Sequence, residues 1–103
     1  MKIIISNKRF DTTTATRMAE WDSSHTPGDF HHEREALYRS AKGAWFLHWT
    51  GGPLSSRAVQ LGRERRGDEG ITPFTELEAC NWLQKRQLVA VLEAHFGSHL
   101  QDA

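Results

Sequence analysis

The sequence is poor in cysteine and in net charge, and each shortage excludes a class of protein. The single cysteine, Cys80, cannot form a disulfide within the chain. Thirteen basic and thirteen acidic residues cancel, which argues against a protein that wraps nucleic acid, because non-specific phosphate binding needs an excess of Lys and Arg. A local basic patch remains compatible with this balance.

Signals for membrane insertion and export are lacking as well. No hydrophobic run approaches the roughly 18 residues that cross a bilayer. The opening "MKIIISNKRF" has an apolar segment too short for a signal peptide, and it has no small-residue cleavage site. These features predict a cytoplasmic protein with no membrane partner. At 103 residues the chain has the size of one domain, which we take as residues 1–103.

Recognisable catalytic motifs are also missing. The sequence has no Ser-His-Asp order, no Gly-rich phosphate loop and no metalloprotease pattern. Its histidines match no closed zinc motif, because neighbours such as His31 and His32 would point to opposite faces of a strand. We therefore predict no catalytic residue, no cofactor and no metal site.

The first third of the chain predicts a hairpin followed by a helix. The β-branched "KIIIS" and the turn signal "NK" indicate an N-terminal hairpin. Asp11 is a good N-cap for a helix over residues 12–21. The apolar residues of that segment recur at spacings of three and four, as expected for one helix face: Ala15, Met18 and Ala19.

The middle of the chain predicts a central antiparallel pair. A strand runs from Phe30 to Ser40, although "HHEREALYR" also suits a helix. Gly43 can take the left-handed conformation that closes a short hairpin into the β-favouring "AWFLHWT". The next segment, "LSSRAVQLG", is compatible with a short helix or a third strand. "GRERRGDEG" contains nothing apolar and predicts a mobile surface loop.

The last third of the chain predicts a helix or a helix pair. Thr75 and Glu78 form a capping-box pattern, in which each side chain binds the other's backbone amide. A polar break at "QKRQ" separates two sets of apolar positions on one face: Leu77, Cys80 and Leu83, then Leu88, Val91, Leu92 and Phe96. Gly97 is a suitable stop. The whole predicts an α+β fold, with a small antiparallel sheet packed against an N-terminal helix and a C-terminal helix or helix pair.

The aromatic strand is the first candidate for binding. Its odd-numbered residues, Trp45 to Trp49, point to one face, while Phe46 and His48 point to the other, so both faces carry bulky groups. Either helices cover both faces, or one face is a platform for a partner protein, where Trp and Arg are frequent hot spots. We expect Trp45 and Phe46 in the core. Trp49, beside two glycines at the strand end, is the expected partner contact.

A basic cluster is the second candidate. Arg57 precedes Arg63, Arg65 and Arg66, and Asp68 follows them with Glu69. A solvated charged loop is the ordinary explanation for such a run. The functional interpretation is an Arg-rich finger that contacts an acidic protein surface or a phosphate backbone. Lys8 and Arg9 add further positive charge near the N-terminus.

Three long segments carry a resemblance to a known group of proteins. They are "KRFDTTTATRMAEW", "DFHHEREALYRSAKGAWFLHWTGGPLS" and "ITPFTELEACNWLQKRQLVAVLEAHFG". The pattern resembles small uncharacterised bacterial and phage proteins that share "KRYDTETA", "LYR...G.WFLH..GGP", "PLT..EA..WL" and a final "FG". This chain differs at "HWT" and in "GRERRGDEG". Proteins of this kind occur on phages and mobile elements, where some small proteins act as anti-CRISPR inhibitors.

These features lead to three functional hypotheses. The first, implied by the resemblance, is a non-enzymatic inhibitor that binds and blocks a protein complex of a host defence system. The second is a nucleic-acid-binding regulator that uses the same arginines. The third is a small hydrolase or nuclease toxin built on His31, His32 and Glu33. A homodimer through the aromatic strand would bury the same residues as a partner protein would.

Overall fold

A computed structural model describes residues 1–23, 33–51, 64–66 and 69–103, with 64–66 described by their backbone. The described residues form seven strands and two helices: β1 Lys2–Ile5, β2 Lys8–Asp11, β3 Thr16–Asp22, β4 Glu33–Arg39, β5 Trp45–Gly51, β6 Glu64–Arg66, β7 Glu69–Phe74, α1 Glu76–Lys85 and α2 Val89–Phe96. A short 3₁₀ turn, Gly97–His99, follows α2. The α+β fold class predicted from the sequence is confirmed.

The strands form a five-stranded antiparallel sheet and a separate hairpin. The sheet has the order β3-β4-β5-β7-β6, and β1 pairs with β2 as a two-stranded hairpin. The predicted N-terminal hairpin and the central β4–β5 pair are both confirmed. Gly43 has a φ of +90°, and the turn closes because the Ser40 amide donates to the Ala44 carbonyl at 2.8 Å. Only a residue without a Cβ adopts this φ without strain.

The helix predicted over residues 12–21 is wrong. Asp11 does accept a hydrogen bond from the Thr13 amide at 2.9 Å, but the chain makes a single turn and then extends as β3. A β-bulge interrupts the β3–β4 register between Arg17 and Ala19. Because a bulge adds a residue to one strand, Met18, Ala19 and Trp21 all pack against the same core cluster. Ala15, the first residue of the predicted helix face, packs instead against the cluster on the other side of the sheet.

The charged segment "GRERRGDEG" is not wholly a loop, so the prediction of a mobile surface loop there is wrong in part. Glu64, Arg65 and Arg66 pair with Ile71, Gly70 and Glu69 as strand β6 at one end of the sheet order. Backbone hydrogen bonds hold such a strand without apolar side chains, and charges are common on sheet edges because they discourage aggregation. The segment 54–62, for which helix and strand were both open, lies outside the described residues.

The C-terminal helix pair is confirmed in outline. Thr75 and Glu78 form the predicted capping box, with hydrogen bonds of 2.8 and 3.1 Å. The polar break lies between α1 and α2, and α2 ends before Gly97. Leu77, predicted on the core face, is instead 68% exposed. It lies in the first turn of α1, one turn before the buried Cys80.

The sheet separates two apolar clusters. Helices α1 and α2 supply most of one cluster, which includes Leu37, Trp45 and Leu47 from the sheet. On the other side, Phe10 of the hairpin packs against Phe46 with the ring planes at 72° and the centroids 5.6 Å apart. The N-terminal end of the chain thus covers one face with a hairpin rather than with the predicted helix.

Candidate functional site

The aromatic side chains of β5 belong to the core, not to a binding platform. Trp45 and Phe46 are buried, as predicted from the sequence. The prediction that Trp49 is exposed is wrong, because its side chain is 1% exposed and its indole N–H donates to the Thr72 hydroxyl at 3.1 Å. The glycines after it do not place it at a free end, since β5 lies between β4 and β7. Trp45, Phe46 and Trp49 are therefore not at the surface, where a homodimer through the aromatic strand would need them.

A buried charge cluster lies beside Trp49 on the helix side of the sheet. Glu35 is 1% exposed, and one carboxylate oxygen accepts hydrogen bonds from the Trp82 indole N–H at 2.7 Å and from Nη2 of Arg86 at 2.9 Å. The Arg86 guanidinium also lies over the Trp21 ring, 3.4 Å from its centroid. These side chains come from β3, β4 and α1, so the cluster joins α1 to the sheet.

This cluster has the chemistry of a structural contact between the sheet and the helix side, held by hydrogen bonds and an ion pair. A buried carboxylate is costly unless it is paired and hydrogen-bonded, and Glu35 has an ionised partner and an indole donor. None of the features predicted from the sequence includes this cluster. Its available signal was Trp82 one helical turn before Arg86, with Glu35 two residues before the core residue Leu37.

The structure places only part of the predicted arginine cluster. Arg65 and Arg66 lie on β6, and their Cα partners on β7 are Gly70 and Glu69. Arg57, Arg63 and Asp68 lie outside the described residues, as do His25, His31 and His32. Among the predicted partner contacts, the backbone therefore brings Arg65 and Arg66 to one edge of the sheet, whereas Trp49 is inside it.

A histidine–carboxylate pair lies on the hairpin side of the sheet. His48 Nε2 is 2.6 Å from a Glu69 carboxylate oxygen, and the His48 ring meets Tyr38 edge-on at 6.4 Å. Glu33, the acid that the toxin hypothesis pairs with His31 and His32, is the first residue of β4. Within the described ranges, no group of three or more His, Cys, Asp or Glu side chains has an arrangement that holds a metal ion.

A basic cleft lies where the N-terminal hairpin meets the β4–β5 turn. Its cations are Lys8 and Arg9 from β2 and Lys42 from the turn, and its volume is about 560 Å³. The sequence analysis noted Lys8 and Arg9 but not Lys42. No sequence signal joins Lys42 to the other two, because it is more than 30 residues from both. The three residues line one cleft only when the hairpin packs on the sheet.

One carboxylate lies close to this cleft in the sequence. Asp11 follows the cleft residue Phe10, and hydrogen bonds from the Thr13 hydroxyl and the Thr13 backbone amide lower the pKa of its carboxyl group below the ordinary value of 3.8. The hydroxyl lies 2.7 Å from the carboxylate oxygen. Asp11 thus carries its charge at neutral pH and uses it to close the turn into β3.

Comparisons with protein-family models, with curated proteins and with solved structures give no match to this chain. None of the helices in the described part of the chain combines the length and the apolar character needed to span a bilayer.

Proposed function

We propose that this protein is a non-enzymatic inhibitor that binds and blocks a protein complex of a host defence system, of the CRISPR–Cas type, in the host cell cytoplasm. The observation that carries the proposal is the position of the Arg-rich strand. β6 is the terminal strand in the sheet order, and it bears Arg65 and Arg66. The resemblance to small phage and mobile-element proteins supplies the class of partner.

The edge position explains how such a contact would form. A strand at a sheet edge presents backbone N–H and C=O groups on its outer side, and these pair readily with an extended segment of another protein. Guanidinium groups add bidentate hydrogen bonds to carboxylates. Within residues 1–23, 33–51, 64–66 and 69–103, β7 is the strand that pairs with β6. We therefore place the contact at the β6 edge and not at the buried Trp49.

The proposal is tested in a bacterium whose active CRISPR–Cas system targets a phage. Expression of the wild-type chain is expected to restore plaque formation, and the purified chain is expected to capture the Cas complex stoichiometrically. The double variant Arg65→Glu/Arg66→Glu is expected to inhibit at least about tenfold less, because charge reversal opposes an acidic partner surface. Its thermal midpoint is expected to change little, and thermal unfolding measures it to show that the variant folds.

A matched control reverses the same number of charges elsewhere. Lys2→Glu/Lys85→Glu changes two exposed lysines away from β6 and should inhibit like the wild type. Full inhibition by the arginine double variant would remove β6 from the contact. If the wild type neither restores plaques nor captures a complex from bacteria carrying several defence systems, the inhibitor function itself is contradicted.

A further inference from the structure

The basic cleft is a second feature with the properties of a binding site, and it does not depend on the inhibitor proposal. Two turns lie at its rim. In the β1–β2 turn, Ser6 and Asn7 have positive φ angles of 51° and 65°, which is the conformation of a tight two-residue hairpin turn. The turn at the end of β4 carries Lys42. The cleft is thus built by local turn chemistry and by packing of the hairpin on Phe46.

The charges of the cleft are all of one sign. Lys8, Arg9 and Lys42 are exposed and line it, and no Asp or Glu is among its lining residues. No salt bridge joins these three cations to a carboxylate in the described part of the chain. Arg17, Arg34 and Arg86, by contrast, are each paired with an acidic residue. Three cations that line one cleft, with no acid among the lining residues, make a local positive field within a neutral protein.

The other lining groups fit a phosphate carried on an organic body. Asn7, Thr14 and Ser40 also line the cleft, and residues with amide and hydroxyl groups can hydrogen-bond phosphate oxygens. Ile4, which is 64% exposed, supplies apolar surface beside the cations. The volume of about 560 Å³ falls within the range of small-molecule sites. An inorganic ion would leave most of that volume and the apolar surface unused.

We propose that the basic cleft binds nucleotide units, with the phosphates held by Lys8, Arg9 and Lys42 and the base and sugar resting on the exposed side chain of Ile4. The chemistry is that of a nucleoside phosphate, whether it comes as a unit of a single strand or as a free nucleotide. Single strands fit an open cleft better than duplexes, because their bases are available to apolar contacts. The three cations of the cleft set the contact at about three phosphates per molecule.

The test measures binding of a fluorescein-labelled oligothymidylate, about 12 nucleotides long, by fluorescence anisotropy over a series of salt concentrations. Amide chemical shifts during titration with the unlabelled strand and with ATP map the site. For three released phosphate counterions, the logarithm of the affinity is expected to fall against the logarithm of salt with a slope of about −2. The triple variant Lys8→Ala/Arg9→Ala/Lys42→Ala is expected to lose at least about tenfold in affinity and most of that slope.

The control variant Arg17→Ala/Arg34→Ala/Lys85→Ala removes the same charge outside the cleft and should bind within about twofold of the wild type, since non-specific attraction alone would weaken both variants equally. Shifts of cleft amides with ATP but not with the strand would identify a free nucleotide and retain the proposal. Equal binding by both variants, no saturable binding of either probe, or binding to vesicles of anionic phospholipid alone would overturn it. Lys42→Arg, which keeps the charge, should bind like the wild type and separates loss of charge from loss of fold.

Discussion

At the scale of single residues, Glu35 is the side chain that connects the sheet to Trp82 and Arg86. Its carboxylate is buried in the core, and the free energy of removing a charge from water is recovered only when partners satisfy it. Arg86 reaches it with two nitrogens, at 2.9 and 3.2 Å, and Trp82 donates from the same helix. Removal of any one of these three side chains therefore leaves the others with fewer hydrogen bonds in a buried site. The cluster as a whole need not stabilise the fold more than apolar residues of the same size would.

We expect Arg86→Ala to lower the free energy of unfolding by about 3–5 kcal/mol, because the variant removes the ion pair that Arg86 forms with the buried Glu35 carboxylate. Urea unfolding followed by tryptophan fluorescence measures this loss. The matched control is Arg17→Ala, which breaks an ion pair to Glu20 whose side chains are 59% and 60% exposed. That substitution should cost less than about 1 kcal/mol. Similar costs for the two variants would contradict the structural role of the cluster.

At the scale of the element, helix α1 shows that one face, not the whole apolar pattern, meets the sheet. Ala79, Cys80, Trp82 and Leu83 are the buried residues of α1. Leu77 lies outside this face because residues separated by six positions differ by about 240° in direction around a helix of 3.6 residues per turn. Leu77 therefore points to solvent and Leu83 to the core.

This difference gives a prediction with an internal control. Leu83→Ala is expected to lower the free energy of unfolding by about 2–5 kcal/mol, because it removes a fully buried side chain and leaves a cavity. Leu77→Ala, in the same helix, should change it by no more than about 0.5 kcal/mol. Thermal and urea unfolding of both variants provide the measurement. A large cost at Leu77 would place the first turn of α1 against the core and contradict the structure.

At the scale of the whole molecule, the central sheet joins two sides that have different composition. The tryptophans Trp21, Trp45 and Trp82 belong to the cluster on the helix side, whereas Phe10 and Phe46 belong to the hairpin side. Strand β5 contributes to both. Because its alternate residues anchor both clusters, loss of packing on one side should weaken the other.

We therefore expect Phe10→Ala to destabilise the whole domain by about 3–5 kcal/mol and to lower the thermal midpoint by more than about 10 °C. Tryptophan fluorescence, which reports the helix side, should shift together with far-UV circular dichroism, as in two-state unfolding. Ile4→Ala, on the same hairpin but exposed, serves as the control and should shift neither signal measurably. A hairpin that unfolds while tryptophan fluorescence keeps its original midpoint would show that the two sides are independent.

The elements read correctly from the sequence are those specified by local chemistry. The hairpin closed by Gly43, the capping box at Thr75 and the break between α1 and α2 each depend on residues close together in the chain. The burial of Trp45 and Phe46 followed from their size and position on a strand. The same local rules gave the α+β class and the small antiparallel sheet.

The remaining features were decided by tertiary structure, because they depend on contacts between residues that are distant in the sequence. Pairing with β4 through a bulge made residues 16–22 a strand and not the predicted helix. A position between β4 and β7 buried Trp49, and pairing with β7 ordered the backbone of Arg65 and Arg66. The sequence by itself determined where short-range turns and caps form. Only the assembled sheet decided which side chains are buried, which charges are paired, and that Lys42 meets Lys8 and Arg9 in one cleft, since these depend on strand order and register.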